Sequence, residues 1–327
     1  MAVKGYDPEF FKLISERLQI VYSDDTLREI KRSGQPDKFL AALQALKAMH
    51  FKYRLNDRFE PTGDMILHKV SLAQAYANYL QIEPVYDDIQ AAAHQTTLKL
   101  YGGLPDSAFA DITAEQLLAF ERLVFRLTAQ PAELDHLLPE LRAPIEHYLQ
   151  TLKSTYEQVS TMAATEMEKH IEVPGQSGVS NYRASVGLGP KELNNIKPPR
   201  VIEKIWHAHQ KLDLYRDQNY SIENFLGIAL NPLSSREMPV HEKVTAIYNL
   251  LNIIGYKTDS KLSNEKRHVA AISDAAHAAI ASQAHCLLSA DEVFVDKVRA
   301  IYEFLGVTTA VGLVALINGK ITVQSPG

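Results

Sequence analysis

The sequence predicts an α/β fold interrupted by a long, all-helical insertion. Short β-favouring runs followed at once by helices stand near the front, Gln19-Ile20-Val21-Tyr22-Ser23, and near the back, His285-Cys286-Leu287-Leu288-Ser289. Between about residue 60 and residue 238, apolar side chains recur almost wholly at helical spacing. The closing stretch then runs helix–strand–helix–strand, an order that implies parallel pairing through right-handed crossovers.

At the front, Phe10, Phe11, Ile14 and Leu18 give a helix over 7–18 with Asp7 placed to cap it. The strand over 19–23 stops at Ser23-Asp24-Asp25, where the next helix starts, and Pro36 admits another that runs to about His50. Two amphipathic helices follow, over 71–81 and 85–101, ended by Gly102-Gly103, and Thr113 caps a further one to 128. Leu134, Leu138, Leu141, Ile145, Tyr148, Leu152, Tyr156, Val159 and Met162 recur at steps of mostly three and four. Pro139 and Pro144 interrupt the early part, so the continuous helix begins near Pro144, in an antiparallel helical hairpin. A coiled coil that forms a homodimer through the insertion is the alternative. Prolines and glycines crowd 173–200, which reads as a linker. Helices over 241–255, closed by Gly255, and 264–282 lead into the strand over 285–289. A helix over 294–305 and a strand over 308–314 complete the chain. The expected division is 1–60 and 239–327 as the two parts of the α/β domain, with 61–238 as the insertion.

Composition narrows the function. Length, 327 residues, suggests about two domains. With 46% hydrophobic and 22% charged residues the chain is of ordinary globular type, and 15 Gly and 15 Pro exclude collagen-like character. The single cysteine, Cys286, excludes an internal disulfide and any cysteine-rich metal site, and in an apolar strand it reads as an inert thiol. Apolar stretches such as 307–317 are too short to span a bilayer, and no leader with a cleavage site is visible. The expectation is a soluble, cytoplasmic protein with no membrane partner. A net charge of −5 argues against a surface that binds nucleic acid everywhere, while leaving room for a local basic patch. Such a patch is visible: residues 102–172 hold 12 acidic and 5 basic side chains, whereas 176–216 hold 7 basic and 3 acidic. In the latter, Arg183, Lys191, Lys197, Arg200 and Lys204 stand among Tyr182, Trp206 and Tyr215. That pattern fits an RNA backbone with stacked bases, or else a solvated loop.

Carboxylates gather at the strand ends, where open parallel sheets bind ligands. Asp24, Asp25 and, one turn on, Glu29 follow the first strand, and Asp291 and Glu292 follow the one ending at Ser289. Helix capping accounts for Asp24, Asp25 and Glu292 and competes evenly for Asp291. Asp274 is different, because it lies among alanines within a helix, where no cap is needed. Several carboxylates placed together repel, and hard divalent cations, Mg²⁺ or Mn²⁺, hold such oxygen ligands together and activate water against phosphodiesters.

The segment Ser273-Asp274-Ala275-Ala276-His277 through Leu287-Leu288-Ser289-Ala290-Asp291, with its following Phe294, helix and strand, resembles the C-terminal part of PIN-like nuclease domains. There an Asp-x-x-His helix precedes a strand ending Leu-Leu-Thr-x-Asp. Residues 20–33 resemble the family's second strand and Glu-bearing helix. The resemblance implies a three-layer α/β/α fold with a short parallel sheet. It implies Glu29, Asp274 and Asp291 as ligands of Mg²⁺ or Mn²⁺, and Ser289 as the hydroxyl that orders the site. It also implies endonucleolytic hydrolysis of RNA, with DNA the alternative substrate. The family's first strand and its Asp have no counterpart, since the sequence begins Met1-Ala2-Val3-Lys4-Gly5-Tyr6 at the start of the first helix. Two expectations follow: an active nuclease with a start farther upstream, or an inactive PIN-like scaffold that acts as an interaction or RNA-binding protein. A helical regulatory protein without nuclease ancestry is a third reading.

Other motifs weigh less. His207 and His209 are about 200° apart on a helix and share no face as zinc ligands would. His277, one turn after Asp274, orients it, approaches a phosphate or packs helices. Gly187-Leu188-Gly189 follows no strand and lacks a third glycine, so it fails as a dinucleotide loop.

Overall fold

The computed structural model describes residues 8–56, 61–129, 142–169, 177–216, 219–232, 235–318 and 320–324. The front holds α1 (Pro8–Arg17), β1 (Val21–Tyr22), α2 (Asp24–Arg32), α3 (Pro36–Ala45), β2 (Met49–Leu55) and β3 (Pro61–His68). The middle holds α4 (Leu72–Ala93), α5 (Gln95–Leu100), α6 (Phe109–Ala129), α7 (Arg142–Glu168), α8 (Gly178–Val186), α9 (Pro190–Leu193), α10 (Val201–His209), α11 (Asp213–Arg216) and α12 (Ile222–Leu226). The rear holds α13 (Val240–Ile254), α14 (Glu265–Ala281), β4 (Cys286–Ser289), α15 (Glu292–Leu305), β5 (Ala310–Ile317) and β6 (Lys320–Gln324).

The protein is mixed α/β, 61% helical, with two small mixed sheets of three strands. Both sheets follow one plan. A strand, a helical crossover and a parallel partner (β1 with β2, β4 with β5) are followed by a hairpin strand that pairs antiparallel (β3, β6). The expectation of one short parallel sheet is corrected here: β1 and β4 lie in different sheets, and each sheet ends in an antiparallel hairpin.

Helix starts follow the capping chemistry of the sequence. Ser23 and Thr26 form a capping box at α2, whose first turn carries Asp24 and Asp25 and whose last carries Lys31 and Arg32, matching the helix dipole. On its inner face Leu27 and Ile30 pack with Tyr22 and Tyr79 in a small front core. The main core is built by α13, where Val244, Ile247, Tyr248, Leu251 and Ile254 recur at helical steps and are all buried. Against them pack Val201, Ile202 and Ile205 of α10, Ala275, Ala278 and Ala279 of α14, Val295, Val298 and Ile301 of α15, and Val311 of β5. One core therefore runs across the boundary expected at 238/239.

Several expectations need correction. The stretch from 61 contains β3, held by its hairpin with β2, so it is not wholly helical. The helix from Pro36 ends at Ala45, and β2 begins at Met49. The two helices expected over 71–101 divide at His94, so α4 continues through Pro84, which forfeits one backbone bond. The supposed linker is structured from 177 onward. Ser177 caps α8, and Gly189 and Pro190 seat so closely against α13 that a Cβ on Gly255 would lie 2.7 Å from Pro190 Cδ. The Asp7 cap, residues 134–141 of the apolar repeat and residues 173–176 lie outside the described residues.

Candidate carboxylate site

The helix α2 meets α14 through two polar contacts. His277 Nε2 lies 3.2 Å from Glu29 Oε2, and Arg32 Nη2 donates to Ser273 Oγ at 2.7 Å. Both pairs are one turn apart on their own helices (Glu29 and Arg32; Ser273 and His277), so they join the helices along one seam. Asp274 sits in that seam beside Ser273. Its half-buried carboxylate makes no hydrogen bond or ion pair among the described residues.

What surrounds Asp274 is mostly negative. Burial first, then the charge of Asp259, with lesser pushes from Glu29 and Asp291 and a partial offset from His277, carry its carboxyl up to about 7. Glu29 goes the other way. Burial opposes its charge, but the hydrogen bond and charge of His277 outweigh that and hold it below the ordinary carboxylate range. His277 is raised: burial works against the imidazolium, and Glu29, Asp25 and Asp274 overcome it. Glu29 and Asp291 are thus each within electrostatic reach of Asp274. Glu29 comes near Asp274 through the α2–α14 seam and Asp291 stands at the start of α15, so no strands of one sheet join them.

Asp291 serves as the cap of α15, its Oδ1 accepting from the Phe294 amide at 3.1 Å, and it is exposed. Ser289 steadies the approach to it, its hydroxyl accepting from the Asp291 amide at 3.1 Å. Asp24 and Asp25 are engaged elsewhere: Asp24 with His50 at 2.8 Å and Lys52 at 3.8 Å, Asp25 with Arg28 at 2.8 Å. Ser23, not either Asp, is the α2 cap.

Two residues at the site carried no expectation. Lys297, on the inner face of α15, is fully buried and donates to Asp259 Oδ1 at 2.9 Å and Asn252 Oδ1 at 2.8 Å, with its ammonium 3.9 Å from the centroid of the Tyr248 ring. Burial lowers its affinity for a proton, against the pull of Asp259, Asp274 and Asp291. The signal for Lys297 is present in the sequence, since it falls on the apolar stripe of Phe294, Val298 and Ile301, where a lysine is out of place. Asp259, in the turn after Gly255, has no such signal.

The basic stretch is only partly a surface. Arg183 turns inward and donates to the carbonyls of Ile253 (2.8 Å) and Asn252 (2.5 Å), closing the C-terminus of α13. Tyr182 and Tyr215 share a hydroxyl hydrogen bond at 2.9 Å, and Trp206 is buried against Phe225, so these aromatics form core instead of a stacking platform. Lys191, Lys197 and Arg200 are exposed, with Arg200 paired to Glu203 at 3.1 Å. His209 is wholly buried and bonded to the Ile205 carbonyl at 2.8 Å while His207 is exposed, as two positions on opposite faces require.

The donor types at Glu29, Asp274 and Asp291 are those that suit a hard divalent cation. Among the described residues no three His, Cys, Asp or Glu side chains stand close enough together to hold a metal ion as placed. No helix among the described residues is long and apolar enough to cross a membrane. No family model, curated protein or solved structure matches the chain.

Proposed function

We propose that this chain is a PIN-like phosphodiester hydrolase, dependent on Mg²⁺ or Mn²⁺, that cuts RNA endonucleolytically in the cytoplasm. The observation that carries the reading is the Asp274 carboxylate, half-buried, without a hydrogen-bonding partner among the described residues and within electrostatic reach of Glu29 and Asp291. Carboxylates gathered against their own repulsion are typical of sites that act on charged substrates. Glu29, Asp274 and Asp291 would hold the cation, which when bound supplies Lewis-acid polarisation of a phosphoryl oxygen and an acidified water. Ser289 keeps the Asp291 turn in place, and His277 and Arg32 supply positive charge along the α2–α14 seam. Exposed Lys191, Lys197 and Arg200 provide the remaining attraction for an RNA backbone. The test is cleavage of a mixed RNA substrate with Mn²⁺, comparing the wild-type chain with Glu29→Gln and Asp274→Asn. Equal residual activity in all three would remove the proposal.

A second reading, an inactive PIN-like scaffold, is favoured by the engagement of Glu29 with His277 and by Asp291 acting as a helix cap. It predicts RNA retention in a filter-binding assay without Mn²⁺-dependent cleavage.

A further inference from the structure

The long helix α7 carries two different faces. On one, Leu149, Leu152 and Tyr156 pack with Phe120 and Val124 of α6, the Phe120 and Tyr156 rings stack at 4.8 Å, and Lys153 reaches Glu121 at 2.6 Å. Tyr148 and Met162, members of the same expected apolar repeat, fall outside that contact and are 43% and 65% exposed. They belong to a second stripe, Tyr148, Thr151, Thr155, Gln158, Met162 and Thr165, whose steps alternate three and four as in a coiled-coil seam. This stripe and the positions beside it (His147, Gln150, Ser154 and Thr161) hold no Asp, Glu, Lys or Arg, whereas roughly three in ten surface positions ordinarily do. The hydroxyls of Thr151, Thr155 and Thr165 donate to the carbonyls of His147, Thr151 and Thr161, at 3.0, 3.0 and 2.9 Å. Covering these threonines therefore strands no donor.

We propose that this stripe is the seam of an antiparallel α7–α7 coiled coil and that its occupant is a second copy of this chain. An uncharged stripe meets its own image without opposing like charges, which matters in a chain of net charge −5. Antiparallel pairing about a two-fold axis between Tyr156 and Glu157 also sets large side chains against small ones. Tyr148 lies opposite the partner's Thr165, Met162 opposite the partner's Thr151, and Gln158 opposite the partner's Thr155. At each end the same register brings His147 beside the partner's Glu168, an imidazole beside a carboxylate. Both are exposed, and neither side chain is paired among the described residues. From Tyr148 to Thr165 the seam runs about 26 Å, at 1.5 Å per residue. A seam so short makes a weak dimer, with a Kd on the order of 10 µM.

The experiment is sedimentation equilibrium of the full chain from about 1 to about 200 µM, which should show a monomer–dimer equilibrium. Met162→Glu is expected to weaken the dimer by about tenfold or more while leaving the unfolding midpoint of the dilute chain unchanged, since residue 162 is exposed. His147→Glu is expected to weaken it by about threefold, and His147→Glu with Glu168→Lys to restore it to within about twofold of wild type. Cross-linking reads the register. In a Cys286→Ser background, Thr151→Cys with Met162→Cys should oxidise with copper–phenanthroline to a covalent dimer. Thr151→Cys alone should not, because the two-fold holds the two copies of residue 151 about 16 Å apart along the seam, beyond the reach of a disulfide. A chain that stays monomeric at every concentration leaves the face to some other partner and overturns the inference. So does a Met162→Glu that dimerises as wild type does, a charge swap that fails to recover, or a covalent dimer from Thr151→Cys alone.

Discussion

Glu29 and His277 touch at 3.2 Å across the seam between α2 and α14, so the front and rear parts of the chain meet at a charged contact beside Asp274. This contact, and not a shared sheet, joins Glu29 to α14.

The pair should show its own pH window. Glu29 is held below its ordinary value of 4.5, so its contribution is present above that pH and lost as pH falls through the lowered value. His277 is raised above 6.5, so its contribution is present below 6.5 and lost as pH rises through the raised value. Glu29→Gln is therefore expected to destabilise most between those limits, by roughly 0.5 kcal/mol because both side chains are partly exposed. Urea unfolding at about pH 6 and about pH 9 measures this, with the smaller difference at the higher pH.

Asp274 predicts the opposite sign. Folding raises its carboxyl from 3.8 to about 7, so ionising it costs stability, and the cost grows as pH climbs through that interval. Asp274→Asn cannot ionise and should be more stable than wild type by on the order of 2 kcal/mol at about pH 8, with little difference at about pH 4. Thermal unfolding in chelator reads it. A destabilised Asp274→Asn at the higher pH would mean that the carboxylate has a favourable partner after all.

Arg183 and Arg200 should separate structure from surface. Arg183→Ala removes donors to the last carbonyls of α13 and is expected to cost about 2 kcal/mol in denaturant unfolding. Arg200→Ala, which loses an exposed pair with Glu203, is expected to cost roughly 0.5 kcal/mol or less. If RNA is bound through exposed Lys191 and Lys197, replacing both with Ala weakens binding and flattens its salt dependence while leaving unfolding nearly unchanged.

Gly255 tests how firmly residues 189 and 190 are docked. Its φ is +108°, and an added Cβ would stand 2.7 Å from Pro190 Cδ and 2.8 Å from Pro190 N. Gly255→Ala should cost about 3 kcal/mol, more than the left-handed conformation alone demands, because backbone and not a flexible side-chain end is in the way.

The legible parts of the sequence were those in which local chemistry and global packing agree. The Ser23 start of α2 and the left-handed Gly255 at the end of α13 both follow from residues adjacent to them. β3 was illegible because Pro61, Gly63 and Asp64 weaken its own pattern, and its strand form comes from pairing with β2. The structured part of 173–200 reads as a linker for a related reason: Gly189 and Pro190 look like linker residues, but they are what permits close approach to α13. At the site, Asp274 was visible as a charge out of place in an alanine-rich helix. Asp259 was not, since a turn tolerates an aspartate anywhere and only the fold brings it to Lys297.

The core that unites α10 with α13, α14 and α15 has a consequence for biosynthesis. Val201, Ile202, Ile205 and Trp206 leave the ribosome well before the helices that cover them. Until α13, α14 and α15 are made, that apolar stripe has little to bury against, and it is a natural substrate for chaperones. A fragment stopped at residue 238 should therefore accumulate as aggregate, and α10 is best regarded as one cooperative unit with α13, α14 and α15.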